Sequence, residues 1–291
     1  MMETTRRQLV QTRARDPHAI SEAAARRARR PLLGERGRLL LVAADHPARG
    51  TFAVGARSTA MASRIDLLDR LLVALARPGV DGVLATPDIV EDLLLLGALD
   101  GKVVSCSMNR GGLPGSAFEI DDRFTAYDAA TIASMGLDGG KMLLRIDPSD
   151  PATARTLDGC ASAISQLAEH RLMAMVEPFW VRRLDDGSIR NDLDPMPMMR
   201  AIAIASALGH TSAYTWLKVA VVAEMERVME ATTLPTLLLG GDLVGDPEET
   251  YASWGKALQL PNVYGLAVGR TVLYPPNDDV AAAVDAAAAL L

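Results

Sequence analysis

Cysteine is nearly missing. Cys106 and Cys160 are the only two in 291 residues, too few for a disulfide framework, and neither sits in a CxxC or beside histidine at metal-ligand spacing. Both are expected to be buried free thiols of a reducing cytoplasm. Histidine is scarce too, with four in the chain. His18, His170 and His210 fall away from every predicted strand end, so a three-histidine zinc site has no support, and no metal or other cofactor is expected. Positive charge is in deficit: the net charge of −6 argues against nucleic acid or a membrane surface as partner, because both require a basic field. No apolar run approaches the roughly 18 uncharged residues of a membrane span. The N-terminal segment lacks the apolar core of a signal peptide, and a cytoplasmic location is the expectation. Its arginine clusters are read as one solvated cap helix from Asp16-Pro17 to Pro31 rather than as an RNA or membrane contact.

Aromatic residues are only 4% of the chain, while hydrophobic residues reach 49%, so the core must be aliphatic. Its runs alternate with longer helical patterns, the signature of βα units around a parallel sheet. Eight strands are predicted, at 38–44, 82–86, 102–107, 140–146, 172–177, 214–219, 235–241 and 263–269. Helices are predicted near 61–77, 88–98, 126–135, 151–169, 195–208, 221–232, 247–258 and 277–291. Thr86-Pro87, Asp150-Pro151, Asp194-Pro195 and Asp246-Pro247 each place a capping residue and a proline at a helix entrance. An open doubly wound sheet would also alternate, but eight regular units without a glycine-rich first turn predict a closed (β/α)₈ TIM barrel, 38–291, behind an N-terminal helical extension, 1–37. Long connections follow strands 1, 3 and 5, and in a barrel these emerge at the face that carries catalysis.

Few ionisable residues fall on the strands or at their carboxyl ends: Asp45, Lys141, Glu177 and Lys218. The last lies in TWLKV, where burial of an ammonium without a partner would cost several kcal/mol or shift its pKa by up to about 3–5 units. Strand ends form a ring, so the four converge. A lysine amine made nucleophilic by an apolar pocket and a neighbouring cation, here Lys141, attacks a carbonyl, and the iminium becomes the electron sink for carbon–carbon cleavage. Glu177 or Asp45 would carry the protons. This is class I aldolase chemistry. Lys141 is the rival nucleophile, and structural ion pairing is the plain alternative for each residue.

After strands 7 and 8 stand LLLGGDLVGDPEE and GLAVGRTVLYP, where barrels frequently bind phosphate. Gly240, Gly241 and Gly269 would offer backbone amides and Arg270 a charge-assisted donor. His46, Arg49, Arg182 and Trp216 are further candidates for substrate contact, His46 as a proton shuttle. Arg110 and Arg183 join Arg49 and Arg182 as loop arginines suited to a second anionic group.

The ordered set AADHPARG, GGKMLLRID, MVEPF, TWLKV, LLLGGDLVGDPEE and GLAVGRTVLYP resembles the DhnA/LacD group of class I aldolases, which includes archaeal-type fructose-bisphosphate, tagatose-bisphosphate and sulfofructose-phosphate aldolases. The resemblance implies that Lys218 forms the Schiff base, that Lys141, Glu177 and Asp45 assist, that the GG and GR turns hold a substrate phosphate, and that the chain forms a homo-oligomer. More narrowly the chain looks like an actinobacterial aldolase-like subfamily linked to inositol catabolism. That implies a phosphorylated ketose or keto sugar acid as substrate, such as 5-dehydro-2-deoxygluconate 6-phosphate cleaved to dihydroxyacetone phosphate and malonate semialdehyde. Deoxyribose-phosphate aldolase or transaldolase chemistry, and a barrel that binds sugar phosphate without turnover, are the alternatives. Pro47 and Arg49 in AADHPARG depart from the group's pattern, as do the long arginine-bearing loops after strands 3 and 5.

Overall fold

The computed structural model describes residues 2–241 and 247–291. The Asp246-Pro247 entrance and the DLVGD portion of the motif after the seventh predicted strand therefore lie outside the described residues. Among the described residues there are nine strands: β1 Leu39–Ala43, β2 Gly82–Ala85, β3 Val103–Ser107, β4 Gly139–Ile146, β5 Met173–Arg183, β6 Ile189–Asn191, β7 Thr215–Ala220, β8 Thr236–Leu239 and β9 Val263–Val268. Eight of them, all but β6, pair in parallel around a ring that closes through β9–β1 and β4–β5. The fold is a closed (β/α)₈ barrel, as the alternation predicts. Its strands are nearly continuous aliphatic runs because both faces are covered. One set of side chains, including Leu39, Leu41, Leu84, Met175, Trp216 and Leu237, fills the barrel interior. The alternate set packs outward against the helices.

The helices follow in chain order: α1 Met2–Arg15, α2 His18–Arg26, α3 Arg64–Leu75, α4 Pro87–Leu95, α5 Ala129–Ser134, α6 Ala152–Glu169, α7 Pro195–Ser206, α8 Met225–Met229, α9 Pro247–Ala257, α10 Arg270–Leu273 and α11 Val280–Ala288. Ser63 and Asp128 cap α3 and α5 by accepting from the backbone amides of Asp66 and Thr131. Proline opens α4 and α7. Among the described residues no helix is long and apolar enough to cross a membrane.

The expected N-terminal helix is corrected. Two helices, α1 and α2, precede the barrel, and the chain leaves helix at Arg27, before the predicted Pro31. The reason is that Arg27 leaves the helical backbone conformation to reach the amino-terminal ends of the strands: its guanidinium donates to Lys102 O and Gly136 O at 2.6 Å each and pairs with Asp138. Arg30 and Arg36 hold the two oxygens of Asp81 beside β2. Arg13 of α1 pairs with Glu91 and Asp92 of α4. Much of the arginine cluster is thus engaged in joining this segment to the barrel.

The long connection after the fifth predicted strand contains a hairpin. β5 runs on to Arg183, the chain turns through Gly187 at φ 83°, and β6 returns antiparallel with Arg182 opposite Arg190. Asp-Asp-Gly supplies the turn chemistry for a hairpin. The helix predicted from 277 is present as α11, and a short α10 precedes it directly after β9.

Candidate active site

Strand alternation aims four side chains at one point. On β4, Lys141 is wholly buried; on β5, Glu177 lies beside it; on β7, Lys218 is 4% exposed; Asp45, just past β1, is 1% exposed. Ring closure brings these together across sequence separations of 41 and 96 residues. Lys218 Nζ donates to Glu177 Oε1 at 2.7 Å. Lys141 Nζ pairs with Glu177 Oε2 and donates to Asp45 Oδ2 at 3.1 Å. The result is a continuous chain of charge, Asp45 to Lys141 to Glu177 to Lys218.

A fifth member was expected only as a loop arginine. Asn109, just past β3, is locked onto β4 by two hydrogen bonds of 2.6 Å with the backbone of Leu143. The next residue, Arg110, is thereby turned inward and buried, and its guanidinium pairs with Asp45 while Nε donates to Ser107 Oγ at 3.1 Å. Its place three residues beyond a predicted strand was the available signal. The rest of this connection is tied down by Arg145 at the end of β4, whose Nε and Nη2 meet the two oxygens of Asp122 at 2.7 and 2.9 Å.

The electrostatics follow from crowding charges in a desolvated space. Burial alone would push the Glu177 carboxyl up, but Lys141, Lys218 and Arg110 outweigh it and hold the group well below the usual carboxylate range. Burial, reinforced by Arg110 and Lys218 against Glu177, lowers the Lys141 amine far below an ordinary lysine. Lys218 is lowered too, by burial first, with Glu177 opposing and Arg110 and Arg270 assisting. Burial brings Arg110 to about 10, still cationic near neutrality.

A cavity of about 750 Å³ opens at the carboxyl ends of the strands. Asp45, Glu177 and Lys218 line it, as do His46, Arg49, Gly240, Gly241, Gly269 and Arg270. Lys141 does not; it lies behind Glu177 and Asp45. Arg49 sits on a 3₁₀ turn, His46–Arg49, with its Nε donating to Gly112 O at 2.8 Å. Gly241 adopts φ 67°, a left-handed value that glycine takes without strain. The Gly269 backbone passes so near β1 that a Cβ would stand 2.3 Å from Ala43 O.

Three of the sequence candidates lie elsewhere. Trp216 shares the inward face of β7 with Lys218 but is two residues nearer the closed end, where its ring meets Tyr264 edge-on at 5.7 Å; it packs the interior and does not line the cavity. Arg182 is fixed on the hairpin, largely exposed and paired to Asp192 at 2.9 Å. Its register partner Arg190 lines the cavity instead. Arg183 likewise pairs away, with Asp150. Phe179, Leu143 and Asn191 also line the cavity; their sequence signal is only that they lie on or near strand ends. Both cysteines are buried and free. Among the described residues no group of His, Cys, Asp and Glu is arranged to hold a metal ion.

Comparison with known proteins places this arrangement in context. A family described as Cgl0159-like matches residues 37–288. The crystal structure of Cgl0159 from Corynebacterium glutamicum is 53% identical, with a TM-score of 0.96 over 99% of this chain and 96% of that one. A Schiff base-forming fructose-1,6-bisphosphate aldolase is 20% identical, with a TM-score of 0.64 over 93% of this chain and 99% of its own. An archaeal fructose-1,6-bisphosphate aldolase whose catalytic lysine is covalently bound to the carbinolamine intermediate is 19% identical, with a TM-score of 0.64 over 93% and 98%. At such identity the aldolases share the fold with this chain. No functionally curated protein matches significantly.

Proposed function

This chain belongs to the Cgl0159-like family, and we propose that it is a class I aldolase that cleaves a phosphorylated ketose or keto sugar acid through a Schiff base on Lys218. The observation that carries the reading is the Lys218 amine: buried, lowered in pKa, facing the cavity, and sharing the carboxylate of Glu177 with a second lysine. A structural ion pair requires only one cation per carboxylate and no access to a cavity. A nucleophile requires both a desolvated amine and access.

In the proposed reaction Lys218 Nζ attacks the substrate carbonyl carbon to give a carbinolamine. Glu177, in contact with Nζ, relays two protons in turn from the nitrogen to the former carbonyl oxygen, one from the starting ammonium and one lost as the carbinolamine collapses, and that oxygen leaves as water to give the iminium. The iminium then accepts the electron pair of the breaking carbon–carbon bond, and an aldehyde departs. Lys141 keeps Glu177 ionised between these transfers. The amides of Gly240, Gly241 and Gly269 together with Arg270 form the cationic end of the cavity suited to the substrate phosphate. 5-Dehydro-2-deoxygluconate 6-phosphate, cleaved to dihydroxyacetone phosphate and malonate semialdehyde, is a candidate substrate that rests on the family resemblance.

A transaldolase-like reading would put the Schiff base on Lys141. Against it stands the burial of Lys141 behind the two carboxylates. Borohydride reduction in the presence of dihydroxyacetone phosphate, with peptide mass mapping, decides between them. An adduct on Lys218, absent in Lys218→Met, is expected. An adduct on Lys141 moves the nucleophile, and no adduct with any carbonyl candidate alongside retained phosphate-ligand binding leaves a non-catalytic barrel.

A further inference from the structure

We propose that His46 is the base that takes the substrate hydroxyl proton during carbon–carbon cleavage, oriented by Asp45 as an Asp–His dyad. The proposal rests on the Schiff-base reading above.

Asp45 divides its two oxygens. Oδ2 is occupied by Lys141 Nζ at 3.1 Å, by Ser107 Oγ at 3.4 Å and by the Arg110 guanidinium. Oδ1 is buried and has no hydrogen-bond partner among the described residues, and the same holds for His46 Nδ1. These two atoms face each other at 3.8 Å. An unmet buried polar group costs about 1–3 kcal/mol. Here one small rotation of the imidazole satisfies both, and contacts between catalytic groups are often long until substrate is bound.

A bond from Nδ1–H to Oδ1 fixes the tautomer, with the proton on Nδ1 and the lone pair on Nε2. The ring lines the cavity that Lys218 faces. Burial, together with Arg270, Lys218 and Lys141 and opposed by Glu177, holds the imidazole well below its usual pKa, so it is neutral, as a base must be. The two carboxylates are poor rivals. Glu177 is held on both oxygens by lysines, and Asp45 is held by three donors. In the cleavage step Nε2 takes the proton of the hydroxyl β to the iminium carbon, the O–H pair forms the new carbonyl, the carbon–carbon pair forms the enamine, and the iminium π pair returns to Lys218 Nζ. Atoms and charge balance with no further reactant.

The test separates this step from Schiff-base formation. His46→Gln and His46→Asn are assayed for borohydride-trapped adduct with dihydroxyacetone phosphate, and for its condensation with D-glyceraldehyde 3-phosphate or malonate semialdehyde. The adduct on Lys218 is expected at the wild-type level, with condensation slowed about 10²–10⁴-fold. The acid limb of the wild-type profile, where the imidazole protonates, is expected to vanish. Condensation within threefold of wild type in both variants overturns the dyad while leaving the Schiff base standing; loss of the wild-type adduct overturns both. A second measurement needs no turnover. Histidine ¹⁵N shifts, assigned to His46 by its Gln variant, are expected to report the Nδ1–H tautomer in the wild type and its loss in Asp45→Asn. An Nε2–H tautomer in the wild type overturns the proposal.

Discussion

Lys218 and Lys141 hold opposite oxygens of a single carboxylate, Glu177, yet only Lys218 lines the cavity. The pair is therefore unequal by position rather than by chemistry: one amine can meet a substrate, and the other can act only through Glu177. Each substitution in this triad should consequently move Lys218 in a predictable direction.

Glu177→Gln removes the carboxylate that raises the Lys218 pKa while leaving Arg110 and Arg270 to lower it. The pH midpoint for trapping dihydroxyacetone phosphate is expected to move down. Turnover should nevertheless fall about 10²–10⁴-fold, because proton transfer at the carbinolamine is lost. A midpoint that moves up contradicts the assigned electrostatics.

Lys141→Met should do the reverse. Glu177 is then left to Lys218 alone, the Lys218 amine is more strongly held as ammonium, and the trapping midpoint rises; each unit of rise removes about tenfold of the free amine near neutrality. Stability supplies a second readout. Native Lys141 has a lowered pKa, so between that value and about 10.4 the unfolded chain binds more protons and wild-type stability rises with pH. Urea titrations across this window should show a shallower rise in Lys141→Met.

Arg270→Ala tests the anion end of the cavity. Loss of one charge-assisted hydrogen bond, about 1.5–3 kcal/mol, corresponds to a rise in KM of about 10–150-fold for a phosphorylated substrate. An unphosphorylated ketone such as dihydroxyacetone should be trapped on Lys218 as well as in the wild type. Equal effects on both would assign Arg270 a structural role.

Gly269→Ala places a methyl group 2.3 Å from the Ala43 carbonyl. Neither β1 nor β9 can yield without opening the ring, so chemical denaturation should register a loss of about 1–3 kcal/mol. An unchanged midpoint would mean that the two strands lie farther apart in solution.

Much of this was legible along the chain. Aliphatic runs alternating with helical patterns point to buried parallel strands, and eight regular units to a closed ring, so Asp45, Lys141, Glu177 and Lys218 were identifiable as strand-end charges that converge. Local sequence also carried the entrances of α4 and α7, since proline and its capping neighbour act within one turn. Other features depended on contacts that no local window contains. Arg110 became part of the charge chain because Asn109 is locked to a strand 34 residues away. Trp216 and Lys218 share a face by alternation, but depth along the barrel axis, fixed by register, separates packing from chemistry. Arg182 was displaced by Arg190 because the segment folds back on itself as a hairpin. The arginines of the first segment look like a solvated basic face until the barrel presents Asp81 and Asp138 to them. Composition and periodicity determined which side chains had to be buried and on what scaffold. Which charge meets which was decided by closure of the ring, because electrostatics in a desolvated cavity depends on distances of a few ångström that sequence spacing does not specify.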